Sequence, residues 1–296
     1  MLEFKQLTLE DKCLFDKYLK PYSFLTCEYS FTNLFIWRKG LDIQYAIYND
    51  VLIIKKMDFD GRYHFMQPIG YKSENLNYII SMLKEYKEEF QMDCLFKDIE
   101  EPFKNELQSL YGDTIEIEED RDNFDYIYES EKLKTLSGKK LHGKKNHYNY
   151  FLKHYSYTIA PITTEIIDDC IKAAREWCCK NDCKGYLLHE LRAIQELLKN
   201  NDKLDFIGMV VYVDNKLSAF TIGEKVNETM AIVHIEKADA EIGGLYAFIN
   251  KSFVENYLSD IPFINREQDL GIEGLRKAKL AYYPIKLEPK YMVNFK

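Results

Sequence analysis

The feature that most limits how this chain can fold is an order of predicted elements that occurs twice. Hydrophobic alternation and turn residues in the first half predict a strand, two helices, a three-stranded meander, a helix, a strand, a helix and closing strands. The second half, from about Tyr157, predicts the same order. Each copy has about 150 residues, which is too long for a solenoid repeat and typical of a duplicated domain. We therefore predict two successive domains of mixed α/β class.

The joint between the copies coincides with a reversal of charge. Residues 116–131 contain eight carboxylates and one arginine, whereas residues 132–164 contain seven lysines and no carboxylate. The lysines fall on a helical pattern with an adjacent apolar face, which indicates a basic helix between the domains. We predict an N-terminal domain over 1–130, a basic linker helix over 131–156 and a C-terminal domain over 157–296.

Composition excludes several classes of protein. The net charge of −8 argues against a dedicated DNA-binding protein, whose surface is basic, and the hydrophobic fraction of 46% excludes a disordered chain. The sequence begins without a charged-then-apolar leader, and no apolar run reaches the roughly 20 residues that span a bilayer. Seven cysteines in a chain of this size favour reduced thiols. We therefore predict a cytoplasmic protein with no transmembrane segment and no DNA partner.

Two segments carry a resemblance to known proteins. Residues 138–147 read Gly-Lys-Lys-Leu-His-Gly-Lys-Lys-Asn-His, and residues 263–279 read Phe-Ile-Asn-Arg-Glu-Gln-Asp-Leu-Gly-Ile-Glu-Gly-Leu-Arg-Lys-Ala-Lys. Together they resemble an uncharacterised bacterial family related to the C-terminal domain of phosphatidylglycerol lysyltransferases. More distantly, they resemble the Fem-type aminoacyltransferases. The resemblance covers nearly the whole chain.

The resemblance implies a fold and a class of reaction. Both groups of proteins are tandem GNAT-like, so it implies two domains of the acyl-CoA N-acyltransferase fold, whose element order matches the one predicted here. It also implies transfer of an acyl or aminoacyl group, from acyl-CoA or aminoacyl-tRNA, to an unknown amine or hydroxyl acceptor. The phosphatidylglycerol enzymes carry a membrane-spanning N-terminal region that this sequence lacks. A contact of this protein with the surface of a membrane remains one of the expectations that the resemblance implies.

Glu236 is the first candidate catalytic residue. It ends a predicted apolar strand, at the position where many GNAT enzymes place the general base that accepts a proton from the attacking amine. A carboxylate beside an apolar strand can have its pKa raised by desolvation toward the useful range. The alternative is a strand-end charge that faces water.

A dense polar cluster follows the buried strand 263–265. Ligands of α/β sheets collect at the carboxyl ends of strands, where Asn265 and Arg266 stand, and Arg266 could hold a carboxylate or a phosphate. Asp269 could hold the α-ammonium of an aminoacyl group, and by resemblance to the Fem-type pattern Lys279 lies near the tRNA phosphate or the reacting ester. The alternative assigns Asp269 to a helix cap and Arg266 to a structural ion pair.

A glycine pair in the second half predicts a phosphate-binding turn. Gly243 and Gly244 precede a helix that starts at Leu245, where GNAT enzymes cradle the pyrophosphate of coenzyme A with backbone amides. The first half has a single glycine, Gly70, at the equivalent place, so we predict that the C-terminal domain is catalytic and the N-terminal domain is not. The alternative is a plain turn between a strand and a helix.

The basic helix is a second candidate phosphate site. Lys140, Lys144 and His147 fall on one stripe, and lysines beside aromatic residues suit the phosphates of a tRNA acceptor end or a nucleotide. The alternative is a solvated connector. Two donors therefore stay open, a coenzyme A thioester and an aminoacyl-tRNA.

The remaining motifs predict no metal. Cys178, Cys179, Cys183 and His189 have no ligand pair at a matching spacing elsewhere, so we predict no metal cofactor. Because duplicated folds often keep a copy for recognition alone, the rival to an acyltransferase is a non-catalytic binding protein.

Overall fold

A computed structural model describes residues 2–296 as two compact units of mixed α/β structure. The first unit comprises the chain up to Phe124 together with Glu288–Lys296, and the second comprises Asp125–Leu287. Each unit is built on one seven-stranded sheet. Within residues 2–296, no helix combines the length and the apolarity that crossing a bilayer requires.

The elements follow the predicted order in each copy. The first copy contains β1 Lys5–Gln6, α1 Lys12–Leu19, α2 Phe31–Trp37, β2 Gln44–Tyr48, β3 Val51–Met57, β4 Tyr63–Phe65, α3 Ser73–Glu89, β5 Phe96–Ile99, α4 Glu101–Tyr111, β6 Ile115–Glu119 and β7 Asp125–Glu129. The joint contains α5 Ser130–Thr135 and α6 His142–His154. The second copy contains β8 Tyr157–Pro161, α7 Ile167–Lys180, α8 Tyr186–Lys199, β9 Ile207–Val213, β10 Lys216–Lys225, β11 Met230–Ala238, α9 Leu245–Tyr257, β12 Phe263–Asn265, α10 Glu273–Leu280, β13 Lys286–Glu288 and β14 Tyr291–Phe295.

The last strand of each sequence copy lies in the sheet of the other copy. The first sheet has the order β1-β2-β3-β4-β5-β14-β6, and the second has the order β13-β7-β12-β11-β10-β9-β8. The units therefore divide the chain before residue 125 and after residue 287, which differs from the bounds 1–130, 131–156 and 157–296 predicted from sequence. The difference arises because β7 and β14 each pair antiparallel with a strand that is distant in sequence.

The basic segment is not one continuous linker helix. Leu136 adopts a left-handed conformation after α5, and Gly138 has a φ of 95° before the turn that leads into α6. The segment belongs to the second unit, in which Phe151 of α6 is fully buried in the core with Phe248 of α9. The packing of α6 on α9 therefore makes α6 part of the core of the second unit.

Two parallel strands of the second sheet separate after a short pairing. β11 and β12 pair over Met230–Ile232 and Phe263–Asn265, and β11 then continues to Ala238 with no described strand beside it on that side. The chain after β12 instead runs alongside β7, where Arg266 N donates a hydrogen bond to Tyr126 O at 3.0 Å. We call the resulting opening, between 233–238 and 266–268, the β11–β12 gap.

The cysteines depart from the prediction at one place. Cys178 and Cys183 form a disulfide at the turn that joins α7 to α8, so the expectation of reduced thiols is wrong for this pair. The two cysteines are 5 residues apart, so the bond links the last turn of α7 to the turn that follows it. A count of the cysteines alone does not predict such a local pair. Cys179 is a free, exposed thiol.

Candidate functional site

Side chains bridge the β11–β12 gap where backbone pairing stops. His234 of β11 is buried between Glu267, 2.8 Å from its Nδ1, and Glu224, 3.1 Å from its Nε2. Burial alone would lower the pKa of His234, but the hydrogen bonds and charges of the two carboxylates raise it to about 10. The imidazole is therefore charged at neutral pH and holds β11 to the chain after β12.

A second bridge contains two predicted site residues. Arg266 Nη2 donates to Glu236 Oε1 at 2.9 Å, and Asn250 Nδ2 of α9 donates to Glu236 Oε2 at 2.9 Å. The Arg266 guanidinium carbon lies 4.8 Å from the ring centroid of Tyr282 and 5.6 Å from that of Tyr128, within cation–π range. Burial opposes the charge of Arg266, but the Glu236 carboxylate raises the pKa of Arg266 above its usual value.

This bridge leaves hydrogen-bonding capacity in a buried place. Arg266 Nη1 and Asn250 Oδ1 are buried, and neither has a hydrogen-bond partner within residues 2–296. Buried polar atoms of this kind are rare and costly unless a ligand or water completes them. One free donor and one free acceptor therefore lie beside the same carboxylate.

Lys144 of α6 joins this group. Its Nζ lies 4.1 Å from the ring centroid of Tyr282. Burial, and then the charge of Arg266, lower the pKa of Lys144, while Glu236 partly offsets them. We name the whole set the Arg266 cluster, which consists of Tyr128, Lys144, Glu236, Asn250, Arg266 and Tyr282.

The cluster is suited to bind an anion or a developing oxyanion. A guanidinium with a free N–H and a neighbouring ammonium form charge-assisted hydrogen bonds to carboxylates, phosphates and oxyanions. Glu236 accepts hydrogen bonds on both oxygens, so in this arrangement its carboxylate fixes the direction of Arg266.

Asp269, predicted to hold a substrate ammonium, lies in a buried ion pair. Arg276 donates to it through Nη2 at 2.7 Å and Nε at 2.9 Å, and Gly271 N donates at 2.9 Å. Burial alone would raise its pKa, but hydrogen bonds from Arg276 and Tyr126 lower the pKa of Asp269 to about 2. Asp269 thus holds the loop after β12 through Arg276 and Gly271 N, a contact with Arg276 that neither sequence interpretation, an ammonium site or a helix cap, had named.

Lys279 and Asn265 shape the loop that carries Arg266. Lys279 Nζ donates to the carbonyl oxygens of Arg266, Glu267 and Gln268 at 2.6, 3.1 and 2.6 Å. The fully buried Asn265 accepts from Glu267 N at 2.7 Å through its side-chain oxygen. Lys279 and Asn265 therefore hold the backbone of the loop that carries Arg266.

The glycine pair accommodates a helix. Gly244 has a φ of 84°, and a Cβ there would lie 2.1 Å from the carbonyl oxygen of His147 in α6. A Cβ on Gly243 would lie 2.8 Å from the ring of Tyr150, and the Gly243 N–H donates to the Tyr155 hydroxyl at 3.2 Å. These contacts do not fit a coenzyme A pyrophosphate at the start of α9, because α6 already lies against it. The first residue of α9, Leu245, is fully buried in the apolar core.

The predicted lysine stripe divides between the cluster and solvent. Lys140 is exposed, with its Nζ 5.4 Å from the ring centroid of Tyr283. The side chain of His147 is also exposed, and its backbone meets Gly244. Lys144 alone of the stripe reaches the Arg266 cluster.

Sequence reasoning missed Asn250, Tyr128 and the part played by Tyr282. Asn250 had a readable signal, because it is the polar residue that directly follows the apolar run 245–249 of α9. In the structure its side chain is 1% exposed. Tyr128 belongs to the first sequence copy and joins the second sheet through β7, so linear order hid it.

Comparisons with known proteins agree with this architecture. A family model described as phosphatidylglycerol lysyltransferase, C-terminal, matches residues 20–294. An uncharacterised protein of Mycoplasmoides gallisepticum is 27% identical over 209 residues, which cover 64% of this chain and 66% of that protein. The chain thus spans about two thirds of that relative's length.

Solved structures are similar over the whole chain. A conserved protein of unknown function from Bacteroides thetaiotaomicron has a TM-score of 0.91 and 35% identity, over 100% of both chains. The C-terminal domain of a putative lysylphosphatidylglycerol synthetase from Agrobacterium fabrum has a TM-score of 0.67 and 13% identity, over 96% of this chain and 90% of that one. A tandem GNAT protein from clavulanic acid biosynthesis has a TM-score of 0.50 and 9% identity, over 99% and 97%. The last two likenesses concern the fold alone, and they confirm the predicted tandem GNAT-like architecture.

Proposed function

Because this chain belongs to the phosphatidylglycerol lysyltransferase C-terminal family, we propose that it transfers an aminoacyl group from aminoacyl-tRNA to an amine or hydroxyl. We assign the transfer to the Arg266 cluster of the second unit. The observation that carries the proposal is the buried Arg266 guanidinium, which has an unpartnered Nη1 beside the second cation Lys144.

The cluster supplies what a direct acyl transfer requires. The acceptor nitrogen or oxygen attacks the ester carbon, a tetrahedral oxyanion forms, and the ester C–O bond then breaks with return of the proton to the departing hydroxyl. Arg266 stabilises the oxyanion, since a preorganised cation in a buried site acts strongly on developing charge. We assign the acceptor's proton to the amine of Lys144, whose pKa is lowered by burial, in place of Glu236, to which sequence reasoning gave this role. The ammonium that forms on Lys144 then faces the oxyanion together with Arg266 and returns the proton to the departing hydroxyl.

The donor is proposed from the family and from α6. The family description names a lysyltransferase, and the exposed Lys139 and Lys140 lie in the turn that leads into α6, the helix that carries Lys144. Such lysines suit the phosphates of an acceptor stem. Acyl-CoA is the second candidate, since the tandem GNAT protein of similar fold is described in relation to acetyl-CoA, but the contacts of Gly243 and Gly244 speak against it. Aminoacyl-tRNA is a cytoplasmic donor, so we propose a cytoplasmic site of action.

The test is a transfer assay with matched variants. Radiolabelled lysyl-tRNA, other aminoacyl-tRNAs and acetyl-CoA are each incubated with the protein and with phosphatidylglycerol vesicles or a small-molecule extract, and labelled products are separated. We expect transfer from an aminoacyl-tRNA. We also expect R266K and K144M to lower it about 100-fold with little change in Tm, and the exposed control K203M to leave it unchanged.

Three outcomes contradict the proposal. Transfer from acetyl-CoA alone would replace the donor. Salt-sensitive tRNA binding without turnover would favour the binding protein. An R266K variant as active as the wild type would remove the cluster from the reaction.

A further inference from the structure

A cavity in the second unit lies apart from the Arg266 cluster. It has a volume of about 310 Å³ and is lined by the end of α7, the start of β10 and the turn after β11. None of the residues of the Arg266 cluster lines it. We call it the Lys237 cavity, and its size reaches the lower range of small-molecule sites, about 300 Å³.

The cavity and the Arg266 cluster lie on opposite faces of β11, because the neighbouring side chains of Glu236 and Lys237 point in opposite directions. Glu236 bonds to Asn250 of α9, whereas Lys237 bonds to Glu190 of α8. Successive residues of a strand project to opposite faces of a sheet. The two sites therefore share β11 and use different faces of it.

The charged group in the wall of the cavity is a buried lysine. Lys237 is 9% exposed, its Nζ donates to Glu190 Oε2 at 2.8 Å, and the same Nζ lies 3.6 Å from the ring centroid of Trp177. Within residues 2–296, Glu190 is the one carboxylate bonded to it. Burial lowers the pKa of Lys237 more than Glu190 raises it. An ammonium has three donors, so a further oxygen from a ligand would stabilise the charged form.

The other residues that line the Lys237 cavity are of two kinds, charged and apolar. Acidic side chains outnumber the lysines other than Lys237, and aromatic and apolar side chains supply the walls. The acidic residues are Glu176, Asp239 and Glu241, the lysines are Lys180 and Lys216, and the walls include Trp177, Leu217, Phe220 and Tyr246. The cavity thus combines a buried cation, further carboxylates and an apolar surface.

We propose that the Lys237 cavity binds a free α-amino acid with a large apolar side chain. The carboxylate of the amino acid bonds to Lys237, its ammonium faces the acidic residues, and its side chain packs against Trp177. A charge-assisted hydrogen bond to a buried lysine and a stacked side chain are each typical contacts of a specific small-molecule site. The inference does not depend on the proposed transfer reaction, because it uses other residues on another face.

The test uses three probes that differ by one group. The chain has two tryptophans, so W37F leaves Trp177 as the sole indole, and its emission reports on the cavity. We expect L-phenylalanine to change this emission saturably. We also expect 3-phenylpropanoate, which lacks the ammonium, and phenethylamine, which lacks the carboxylate, to bind at least tenfold more weakly. L-leucine serves as a second amino acid, and calorimetry on the wild type checks that W37F has not created the signal.

Matched variants separate this inference from the proposed function. K237M is expected to abolish the response to L-phenylalanine, and the exposed control K203M to retain it. R266K, which is expected to lose transfer, is expected to bind L-phenylalanine as the wild type does. The inference is overturned if neither amino acid binds up to 10 mM, if phenethylamine binds as tightly as L-phenylalanine, or if K237M binds normally.

Discussion

The carboxylate of Asp269 anchors the loop after β12 through Arg276 and Tyr126. We predict that D269N lowers the free energy of unfolding by about 3 kcal/mol, because it removes the buried negative charge to which Arg276 donates two hydrogen bonds. The pKa of Asp269 is depressed to about 2, against about 3.9 in an unfolded chain. The stabilisation is therefore complete above about pH 4 and declines as the pH falls toward 2.

Urea unfolding at pH 7 and pH 3 measures both parts of this prediction. The difference between wild type and D269N should be smaller at pH 3. The exposed control D202N should change stability by no more than about 0.5 kcal/mol at either pH. A D269N variant of unchanged stability but reduced turnover would return Asp269 to the list of catalytic residues.

His234 should lose its contribution to stability at high pH, whereas Asp269 loses its contribution at low pH. Its pKa is raised to about 10, against about 6.5 for an ordinary histidine. Its contribution to stability is therefore complete below about pH 6.5 and is lost as the pH rises through about 10. Nitrogen-15 NMR of the imidazole, assigned with H234Q, should show a doubly protonated ring at pH 8, and a neutral tautomer at that pH would contradict the buried ion triplet.

At the scale of elements, the contact between α6 and the start of α9 yields a paired prediction. An alanine at Gly244 places a Cβ 2.1 Å from the backbone oxygen of His147, at a φ of 84°, whereas a Cβ on Gly143 in α6 meets nothing within 4 Å. We expect G244A to destabilise the protein by more than about 1 kcal/mol and G143A to stabilise it by up to about 1 kcal/mol. Thermal unfolding of both variants measures the contrast, and equal effects would show that α6 does not lie against Gly244.

Elements and turns were readable from sequence where the signal is local. Asn49, Asp50, Asp214 and Asn215 all have positive φ in their hairpins, as residues tolerant of that conformation predict. The Gly243-Gly244 pair predicts that some other group comes close to the backbone there. A glycine does not reveal whether that group is a phosphate or another helix. Arg266 was predicted at a strand end, yet its partners come from distant elements, and contacts of that kind leave no spacing in the sequence.

At the scale of the whole molecule, the two units repeat a detail beyond element order. In the first unit, His64 of β4 lies 3.4 Å from Asp98 of β5. In the second, His234 of β11 lies 2.8 Å from Glu267, which follows β12. The third member differs in charge, since Lys56 pairs with Asp98, whereas Glu224 pairs with His234. Both units thus place a histidine beside a carboxylate at the same point of the element order, whereas the third residue is a lysine in the first unit and a glutamate in the second.

The exchange of strands makes the first unit depend on the last residues of the chain. β14 lies between β5 and β6 and contributes the fully buried Val293 to the core of the first unit. Just before it, the fully buried Lys290 donates to Glu28 at 2.6 Å. Removal of this strand opens the sheet at an interior position and leaves Glu28 without that partner, a loss large enough to unfold a marginally stable unit.

We therefore predict that a chain ending at Glu288, the last residue of β13, loses the first unit and keeps the second. Trp37 lies in the first unit and Trp177 in the second, so W177F and W37F backgrounds report on the units separately. In the truncated chain, Trp37 emission should move to that of an exposed indole, because β5 and β6 no longer share a partner strand, while Trp177 should keep its native emission and its cooperative melting. Removal of Lys296 alone, outside β14, should change neither signal. A truncated chain with native Trp37 emission would show that β14 is dispensable, and one that loses both signals would show that the units fold as one.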